Sequence, residues 1–331
     1  MDNKEKIDFV ILWVDGNDVE WKKERDKYSI DETDKNEVRF RDWELLKYWF
    51  RGVEKYAPWV NRIFFITYGH VPNWLNTNYE KIKIVKHSDF IPKEYLPTFN
   101  SNVIELNLNK IKDLSEKFVL FNDDVFIWDY IYPNDFFVNN KVKDIFIENP
   151  IIATYDPYNY TQYNNMAIIN SIYNKNLYKR NKKFYNFKYG IRSFVSKIES
   201  KHEKFVGFYN QHISQPYFKE SFNKLWKERF DICNQTSLTK FRNKNNISHY
   251  VIRYMQMLDG KFEPRNFKFG KSMELSKNNY LIYKQLLKNK YKIICINDSD
   301  INTDFENTKK ELLKIFGTKF PKKSKFEKGD N

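Results

Sequence analysis

The chain has 331 residues, with 57 Lys and Arg against 43 Asp and Glu, so its formal net charge is +14 at pH 7. Apolar residues make up 41% of the chain and aromatic residues 18%, which is enough to build a core and excludes global disorder. Only 9 Gly and 10 Pro are present, so collagen-like and other Gly-rich architectures are excluded as well.

The first predicted strand covers residues 7–14, IDFVILWV, and ends at acidic turn formers that begin with Asp15 and Gly16. A helix is predicted next, with Asp42 as its cap and Pro58 as its stop. Its apolar residues recur at helical spacing on one face, so we expect this helix to pack on a sheet.

Further strands are predicted at residues 62–67, 81–85 and 118–121, and a helix capped by Ser101 precedes the last of them. This alternation indicates an α/β fold with a Rossmann-like, mainly parallel sheet flanked by helices. In such sheets the loops at the carboxyl ends of the strands form the ligand crevice. The following acidic and imidazole side chains follow strands and are expected to converge there: Asp15, His70, Asp89 and Asp123.

The second half of the chain is less regular. Residues 171–205 contain ten Lys or Arg, two Glu and many aromatic residues, which favours a basic insertion. Such a segment could also bind nucleic acid, but no motif of the usual binding modules accompanies it, so no nucleic-acid partner is expected. Residues 207–260 are rich in helical patterns, residues 291–296 predict a last strand, and the Lys-rich chain from Lys309 is expected to fray.

Carboxylates that end parallel strands can hold a divalent cation on phosphate oxygens. Asp123 and Asp124 follow the apolar run FVLF, and Asp298 follows the last predicted strand. Each of these segments is also a common turn sequence, so the residues by themselves leave a metal site and an ordinary turn open.

Other side chains suit phosphate chemistry. Arg41 lies just before a predicted helix and Arg242 just before another, where a guanidinium could bind two phosphate oxygens. His212 lies in the polar, Pro-interrupted segment FYNQHISQPY, a setting that would display a proton-transfer group. For each of these residues an ordinary structural or surface role remains the alternative.

The remaining signals concern the compartment. No apolar run is long enough to span a bilayer, and no export signal is indicated at the start of the chain. Cys233 and Cys295 are far apart in sequence, which favours free thiols in a reducing cytosol over a disulfide or a Cys-based zinc site.

Long runs of this sequence resemble the Stealth family. The runs are IDFVILWVDGNDVEW, RFRDWELLKYWFRGVEKYAPWVNRIFFITYGHVPNWLN, VKHSDFIPKEYLPTFNSNVIELNLNKI and LSEKFVLFNDDVFI, which look like its first two blocks. FYNQHISQPYFKESFNKLWKERFD with TKFRNKNNISHYVIRYMQML resembles the third block, and ICINDSD the short fourth. The family contains bacterial capsular and cell-wall polysaccharide phosphotransferases and the animal GlcNAc-1-phosphotransferase.

The resemblance implies a glycosyltransferase-A-like fold and transfer of a hexose 1-phosphate, such as GlcNAc 1-phosphate, from a UDP-sugar to a glycan hydroxyl, with release of UMP. It implies Mg²⁺ or Mn²⁺ as cofactor and a lipid-linked or oligosaccharide acceptor. The implied catalytic residues are His212, Asp123, Arg242 and Arg41; the donor-binding residues are Asp15, Gly16, Arg41 and Asp42; and the metal ligands are Asp123, Asp124 and Asp298.

On this basis the chain is divided into a nucleotide-sugar-binding α/β half (1–139), a basic and aromatic insertion (140–205), the second part of the catalytic core (206–305) and a basic C-terminal tail (306–331). The expected location is the cytoplasm, at the inner face of the cytoplasmic membrane, with peripheral membrane contact through basic residues such as those of the tail. An ordinary metal-dependent glycosyltransferase that releases UDP remains the rival enzyme.

Overall fold

A computed structural model describes residues 6–29, 41–298 and 303–329 of the chain. The strands are Ile7–Leu12 (β1), Ile63–Thr67 (β2), Ile82–Lys86 (β3), Lys117–Phe121 (β4), Val125–Ile127 (β5), Phe137–Val138 (β6), Lys141–Asp144 (β7), Gln215–Phe218 (β8), Phe262–Pro264 (β9), Gly270–Glu274 (β10) and Ile293–Asn297 (β11). The helices are Val19–Tyr28 (α1), Leu46–Tyr56 (α2), His87–Phe90 (α3), Ser101–Leu106 (α4), Pro133–Phe136 (α5), Pro157–Ile172 (α6), Arg192–Glu199 (α7), Lys219–Glu228 (α8), Phe230–Ser237 (α9), Tyr250–Leu258 (α10), Tyr280–Leu287 (α11) and Phe305–Lys319 (α12).

The main sheet has the strand order β3-β2-β1-β4-β8. Its first four strands are parallel, and β8 joins the β4 edge antiparallel. The 3-2-1-4 order is that of a Rossmann-type half-sheet, so the predicted α/β class with a mainly parallel sheet is confirmed. β1 lies in the middle because its residues Phe9, Val10 and Ile11 are fully buried, as a parallel strand covered on both faces requires.

Two smaller sheets extend this core. One has the order β10-β11-β5, in which β5 runs antiparallel to β11. The other has the order β6-β7-β9, in which β7 pairs antiparallel with β6 and parallel with β9. The last predicted strand, β11, therefore belongs to a different sheet from β4, although the turn after β4 leads directly into its neighbour β5.

Two predicted helix caps are wrong. Helix α2 begins at Leu46, and Asp42 Oδ1 accepts a hydrogen bond from the N–H of Glu44 at 2.7 Å, so Asp42 closes a local turn ahead of the helix. Asn100, not Ser101, caps α4, with its side chain accepting from the N–H of Asn102. Helix α1 was missed because Asp18, which caps it, lies within the acidic cluster interpreted as a loop.

The expectation that the chain frays from Lys309 is also wrong for the residues described. Helix α12 packs on the core through Leu312 and Phe316, and Phe326 beyond it is buried as well. Arg51 and Glu327 form an ion pair at 2.6 Å that holds this end against α2. The Lys residues lie between apolar residues at helical spacing, which makes the segment a surface helix rather than a loose tail.

No helix among the described residues has the length and apolar character needed to cross a bilayer. Cys233 and Cys295 are free and buried, as expected.

Candidate active site

Asp124 is positioned by the junction of two sheets. β4 ends at Phe121, and the chain turns through Asn122, Asp123 and Asp124 into β5. β5 pairs with β11 so that Val125 lies opposite Cys295, and the N–H of Ile296 donates to the carbonyl of Asp124 at 2.9 Å. The Asp124 backbone is therefore held by a ladder hydrogen bond while its side chain projects at the carboxyl edge of β4.

His212 reaches the same point through the antiparallel pairing of β8 with β4. Leu120 lies opposite Gln215, and residues before Gln215 run beside residues after Leu120 because the strands have opposite directions. His212 Nε2 lies 3.1 Å from the Asn122 amide nitrogen and 3.8 Å from Asp124 Oδ2. An amide nitrogen donates, so Nε2 of His212 is the acceptor in this contact.

The side chains of Asp124, His212 and Cys295 form a group whose ligand atoms all lie within 4.8 Å of one another. Burial raises the pKa of the Cys295 thiol, which donates to Asp124 Oδ2 at 3.3 Å. Asp124 Oδ1 is buried and has no hydrogen-bond partner among the described residues. A carboxylate oxygen left unpartnered in this way, beside an imidazole, fits an oxygen- and nitrogen-preferring divalent cation such as Mg²⁺ or Mn²⁺.

Asp123 adds charge to this group. Its side chain is open to solvent on one side. Loss of hydration on the other sides, followed by repulsion from Asp124 and Asp42, raises the pKa of Asp123. Adjacent carboxylates that repel each other are the arrangement that a bound cation relieves, so Asp123 supports the fit of a divalent cation.

Arg41 and Asp298, which follows the last residue of β11, lie close to each other. Arg41 Nη1 lies 3.6 Å from Asp298 Oδ2, and the Asp298 side chain is only 7% exposed. The Arg41 guanidinium also lies over the ring of Phe305, with 5.5 Å between its carbon and the ring centroid. The arginine is thus held in place on one side by a carboxylate and on the other by an aromatic face.

The loop after β1 carries Asp15 and the buried Gly16. The N–H of Asp15 donates to His70 Nε2 at 2.8 Å, and Asp15 Oδ1 accepts from the N–H of Asn17. Burial lowers the pKa of His70, so the ring is neutral and presents Nδ1 to Asp18 at 3.7 Å. The loops after β1 and β2 are therefore in contact, as expected for loops at the same edge of a parallel sheet. Asp89, by contrast, accepts from the N–H of Lys86 in a local turn.

A cavity of about 410 Å³ opens beside this meeting point. Its lining includes Tyr68 and His87, which directly follow β2 and β3, and Thr98, which lies ahead of α4. The carboxyl ends of β2 and β3 belong to the edge where α/β sheets bind ligands. The cavity lies on the β2 and β3 side of the edge, whereas Asp124 and His212 lie on the β4 side.

Arg242 lies on a further side of the site. Its Nη2 donates to Ser101 Oγ at 2.5 Å, and its charge acts on Glu105 in α4. Glu105 Oε2 lies 3.7 Å from Nε2 of His249, whose pKa burial lowers to about 3, with His212 and Arg253 acting in the same direction. Glu105 and His249 thus separate Arg242 from His212.

We expect Glu105 to make the stability of the protein depend on pH. Burial raises the pKa of Glu105 from 4.5 to about 7, although Arg242 and Ser101 act against this rise. The folded state then holds a proton that the unfolded state has lost, so the Glu105 contribution is complete below pH 4.5 and is lost as the pH rises through about 7. Relative to the wild type, Glu105→Gln should gain on the order of 2 kcal/mol in unfolding free energy between pH 5 and pH 8. Urea unfolding at a series of pH values measures this, and a constant difference would contradict it.

The segment that carries His212 is anchored by residues that the sequence did not single out. Arg253, only 1% exposed, pairs with Asp144 at 2.7 Å and donates to Asn210 Oδ1 at 2.8 Å. Gln211 donates to the backbone carbonyls of Phe267 and Gly270. Because these bonds come from α10 and from the approach to β10, they hold His212 from two directions. The polar residues beside His212 in FYNQH are the sequence signal that could have indicated such anchoring.

The structure brings some of the predicted site residues into contact and leaves others in separate groups. Asp124 and His212 are neighbours. Asp123 is adjacent to Asp124 in sequence, and the charge of Asp42 contributes to its raised pKa. Arg41 pairs with Asp298. Asp15 with Gly16 lies in the loop after β1, where its contact is His70, and Arg242 is linked to Ser101. Sequence reasoning missed Cys295 and Asn122 as neighbours of this group, because a buried thiol and a turn amide carry no pattern of their own.

Sequence comparison finds three conserved regions of one protein family in this chain. Stealth protein conserved region 1 matches residues 5–32, conserved region 2 matches residues 39–145, and conserved region 4 matches residues 284–331. These ranges include Asp15, Arg41, the Asn122–Asp124 turn and Asp298.

Relatives that align with nearly the whole chain are named as polysaccharide phosphotransferases. A capsular polysaccharide phosphotransferase, WcwK, of Streptococcus pneumoniae is 48% identical over 99% of this chain and 100% of its own length. An exopolysaccharide phosphotransferase, cps2G, of Lactiplantibacillus plantarum is 38% identical over 97% of this chain and 96% of its own. Among solved structures, the galactosyltransferase LgtC is similar with a TM-score of 0.40 at 11% identity, covering 94% of this chain and 95% of that one.

Proposed function

Since this chain belongs to the Stealth family, we propose that it is a transferase that moves a hexose 1-phosphate from a UDP-sugar to a glycan hydroxyl and releases UMP. Relatives named as polysaccharide phosphotransferases support a role in sugar-phosphate transfer during polysaccharide synthesis. The observation that carries the proposal is the placement of His212 3.8 Å from Asp124 at the carboxyl end of β4, beside a second carboxylate.

The proposed step is a substitution at phosphorus. The acceptor oxygen forms a bond to the sugar-proximal phosphorus, and the bond from that phosphorus to the bridging pyrophosphate oxygen breaks. The hydroxyl proton passes to Nε2 of His212, and UMP leaves with the bridging oxygen. The product is a phosphodiester between two sugars in a capsular or cell-surface polysaccharide. Such transfers need mainly positioning and neutralisation of charge on the phosphoryl oxygens.

Mg²⁺ or Mn²⁺ is the proposed cofactor. Asp124, through its buried Oδ1, and Asp123 would hold the cation, and Asp298 at the end of β11 is the third proposed ligand. When bound, such a cation neutralises charge on pyrophosphate oxygens. Arg41, held by Asp298 and Phe305, is placed to add a guanidinium to the same oxygens.

For the donor, we propose that the UDP-sugar lies along the carboxyl edge from β2 to β4. Asp15 and Gly16 would contact the nucleoside, and the cavity beside Tyr68 offers an aromatic side chain for the base. Arg41, which pairs with Asp298, and Asp42, whose charge acts on Asp123, would bind the diphosphate and the sugar.

For the acceptor, we propose a lipid-linked or oligosaccharide glycan that approaches from the side of His212 and Arg242. Arg242 lies on the surface, with Glu105 and His249 between it and His212. A cationic group there can hold the anionic phosphates of a growing chain. The corresponding location is the inner face of the cytoplasmic membrane, where lipid-linked precursors are exposed.

The identity of the released nucleotide tests this proposal. Incubation of the purified chain with a panel of UDP-sugars, Mn²⁺ and a short glycan acceptor should release UMP and add the mass of a hexose phosphate to the acceptor. Mass spectrometry of both products measures this. Release of UDP with addition of a sugar alone would make the chain an ordinary glycosyltransferase and refute the proposal.

A further inference from the structure

Helix α7 of the basic insertion presents an apolar face to solvent. Ile191 at its N-cap is 85% exposed, Phe194 65% and Ile198 49%, and Val195 lies among them. These positions follow the i, i+3, i+4, i+7 spacing of a single helix face. Phe187, in the short 3₁₀ turn that precedes the helix, is exposed as well. Large apolar side chains grouped in this way mark an interaction surface.

The side of α7 that faces the protein is polar. Ser196 is buried and its Oγ accepts from the N–H of Glu148 at 2.6 Å. Arg192 lies over the ring of Tyr209, 4.4 Å from its centroid. The carbonyl of Glu199 accepts from the ammonium of Lys175 at 2.8 Å. The helix is therefore attached by polar contacts, and its apolar side chains are left for something outside the chain.

The segment that contains α7 is strongly basic. The segment 171–205 holds ten Lys or Arg against two Glu. The exposed basic side chains that form no ion pair with any other described residue include Arg180, Lys182, Lys197, Lys201 and Lys204. A short amphipathic helix with aromatic and aliphatic residues on one face and Lys or Arg around it has the composition of segments that lie in the interface of an anionic bilayer.

We propose that the α7 surface, formed by Ile191, Phe194, Val195 and Ile198 with the basic residues of the same segment, docks this chain on an anionic lipid bilayer. A second copy of the chain fits less well, because a twofold contact would bring like charges of the two copies together. Nucleic acid also fits less well, because three of the four side chains of the face, Ile191, Val195 and Ile198, are aliphatic and offer bases no ring to stack on.

The docked orientation would place the site near the membrane. Arg192 of α7 stacks on Tyr209, and Tyr209 begins the segment that leads to His212. A bilayer on the α7 surface would therefore lie on the His212 side of the molecule. This consequence for a lipid-linked acceptor rests on the proposed function, whereas the docking itself does not.

Vesicle sedimentation of the full chain tests the proposal. We expect binding to phosphatidylcholine vesicles that contain phosphatidylglycerol, and binding at least tenfold weaker to phosphatidylcholine alone. The variant Ile191→Ser/Phe194→Ser/Ile198→Ser should lose at least tenfold in affinity for the anionic vesicles. The control Leu281→Ser/Leu287→Ser removes two exposed apolar side chains from α11 and should bind as the wild type does.

A fluorescent probe gives a second measurement. Both native cysteines are buried, so Phe194→Cys and Leu281→Cys can each be labelled with a polarity-sensitive dye. Anionic vesicles should increase the emission of the dye at position 194 and leave that at position 281 unchanged.

Several results would overturn the docking proposal. The first is failure of the wild type to bind anionic vesicles at physiological salt. The second is binding of the α7 variant to these vesicles with the same affinity as the wild type. The third is a change in the oligomeric state of that variant, measured by light scattering, which would assign the face to a second copy. UMP release with a water-soluble acceptor should be the same in the wild type and the α7 variant. Failure of docking with UMP release intact would leave the proposed function standing.

Discussion

Replacing Asp124 with asparagine is expected to lower transferase turnover about 10³-fold or more. The amide keeps the shape of the side chain, and its oxygen can still accept from the Cys295 thiol. It removes the negative charge from the buried Oδ1, the atom that has no hydrogen-bond partner among the described residues. The variant should therefore fold normally while it loses affinity for Mn²⁺. Steady-state release of UMP and calorimetric titration with Mn²⁺ measure the two effects.

Asp129→Asn is the matched control for this variant. Asp129 lies beyond the other end of β5, where its Oδ1 accepts from the N–H of Tyr130. The same chemical change there should leave turnover and Mn²⁺ affinity at the wild-type level. Asp123→Asn should also lose turnover severely, since an amide cannot share the charge of a cation. Full turnover in the Asp124 variant would remove Asp124 from the site.

His212→Ala is expected to lower turnover by about 10²- to 10⁴-fold, the usual contribution of a general base. Nε2 of His212 lies 3.1 Å from the Asn122 amide nitrogen and is the proposed atom that takes the proton of an acceptor hydroxyl. The loss should appear in kcat, with little change in the KM for the donor, because the base acts in the transition state. Initial rates of UMP release at varied donor concentration separate the two constants.

His202→Ala provides the comparison. His202 lies on the insertion, with its side chain 61% exposed and a contact to Glu199 at 3.4 Å, so its removal should leave the rates unchanged. Mn²⁺ titration of the His212 variant tests whether His212 is instead a metal ligand, a role that its distance from Asp124 also permits. An unchanged affinity for Mn²⁺ supports a base, whereas a large loss of affinity would make His212 a metal ligand and contradict its assignment as the base.

Among the residues that the structure describes, five of the eleven strands were predicted, whereas the six short strands β5 to β10 were missed. β1, β2, β3, β4 and β11 all lie within one or two residues of the apolar runs that predicted them, because buried parallel strands are continuous apolar segments bounded by polar loops. Helix starts were harder. Asp42 and Ser101 have the chemistry of caps, but the adjacent turn at Glu44 and the competing Asn100 decided where α2 and α4 begin.

For the candidate site, too, some features can be predicted from the sequence and others cannot. That Asp123 and Asp124 follow a strand, and therefore lie at the ligand-binding edge of an α/β sheet, can be predicted from neighbouring residues. Their neighbours come from distant parts of the chain. Asp124 meets Cys295 because β5 pairs with β11, and it meets His212 because β8 pairs with β4. Neither pairing has a local signal.

Helix α7 shows most clearly what could not be predicted from the sequence. Residues 191–198 lie in a basic and aromatic segment without a regular period, so the sequence predicts neither this helix nor the direction of its faces. Only the structure reveals that Ser196 and Arg192 face the protein and that Phe194 faces solvent.

The amino-acid sequence by itself determined the α/β class, the family resemblance and the kinds of residues available for phosphate chemistry, because these follow from local patterns of polarity and from runs of neighbouring residues. The tertiary structure alone decided which carboxylate stands beside His212, which oxygen of Asp124 is left for a cation, and which face of α7 meets the surroundings. The physical reason is that strand pairing and burial depend on contacts between segments far apart in the chain, and those contacts leave no mark in any single segment.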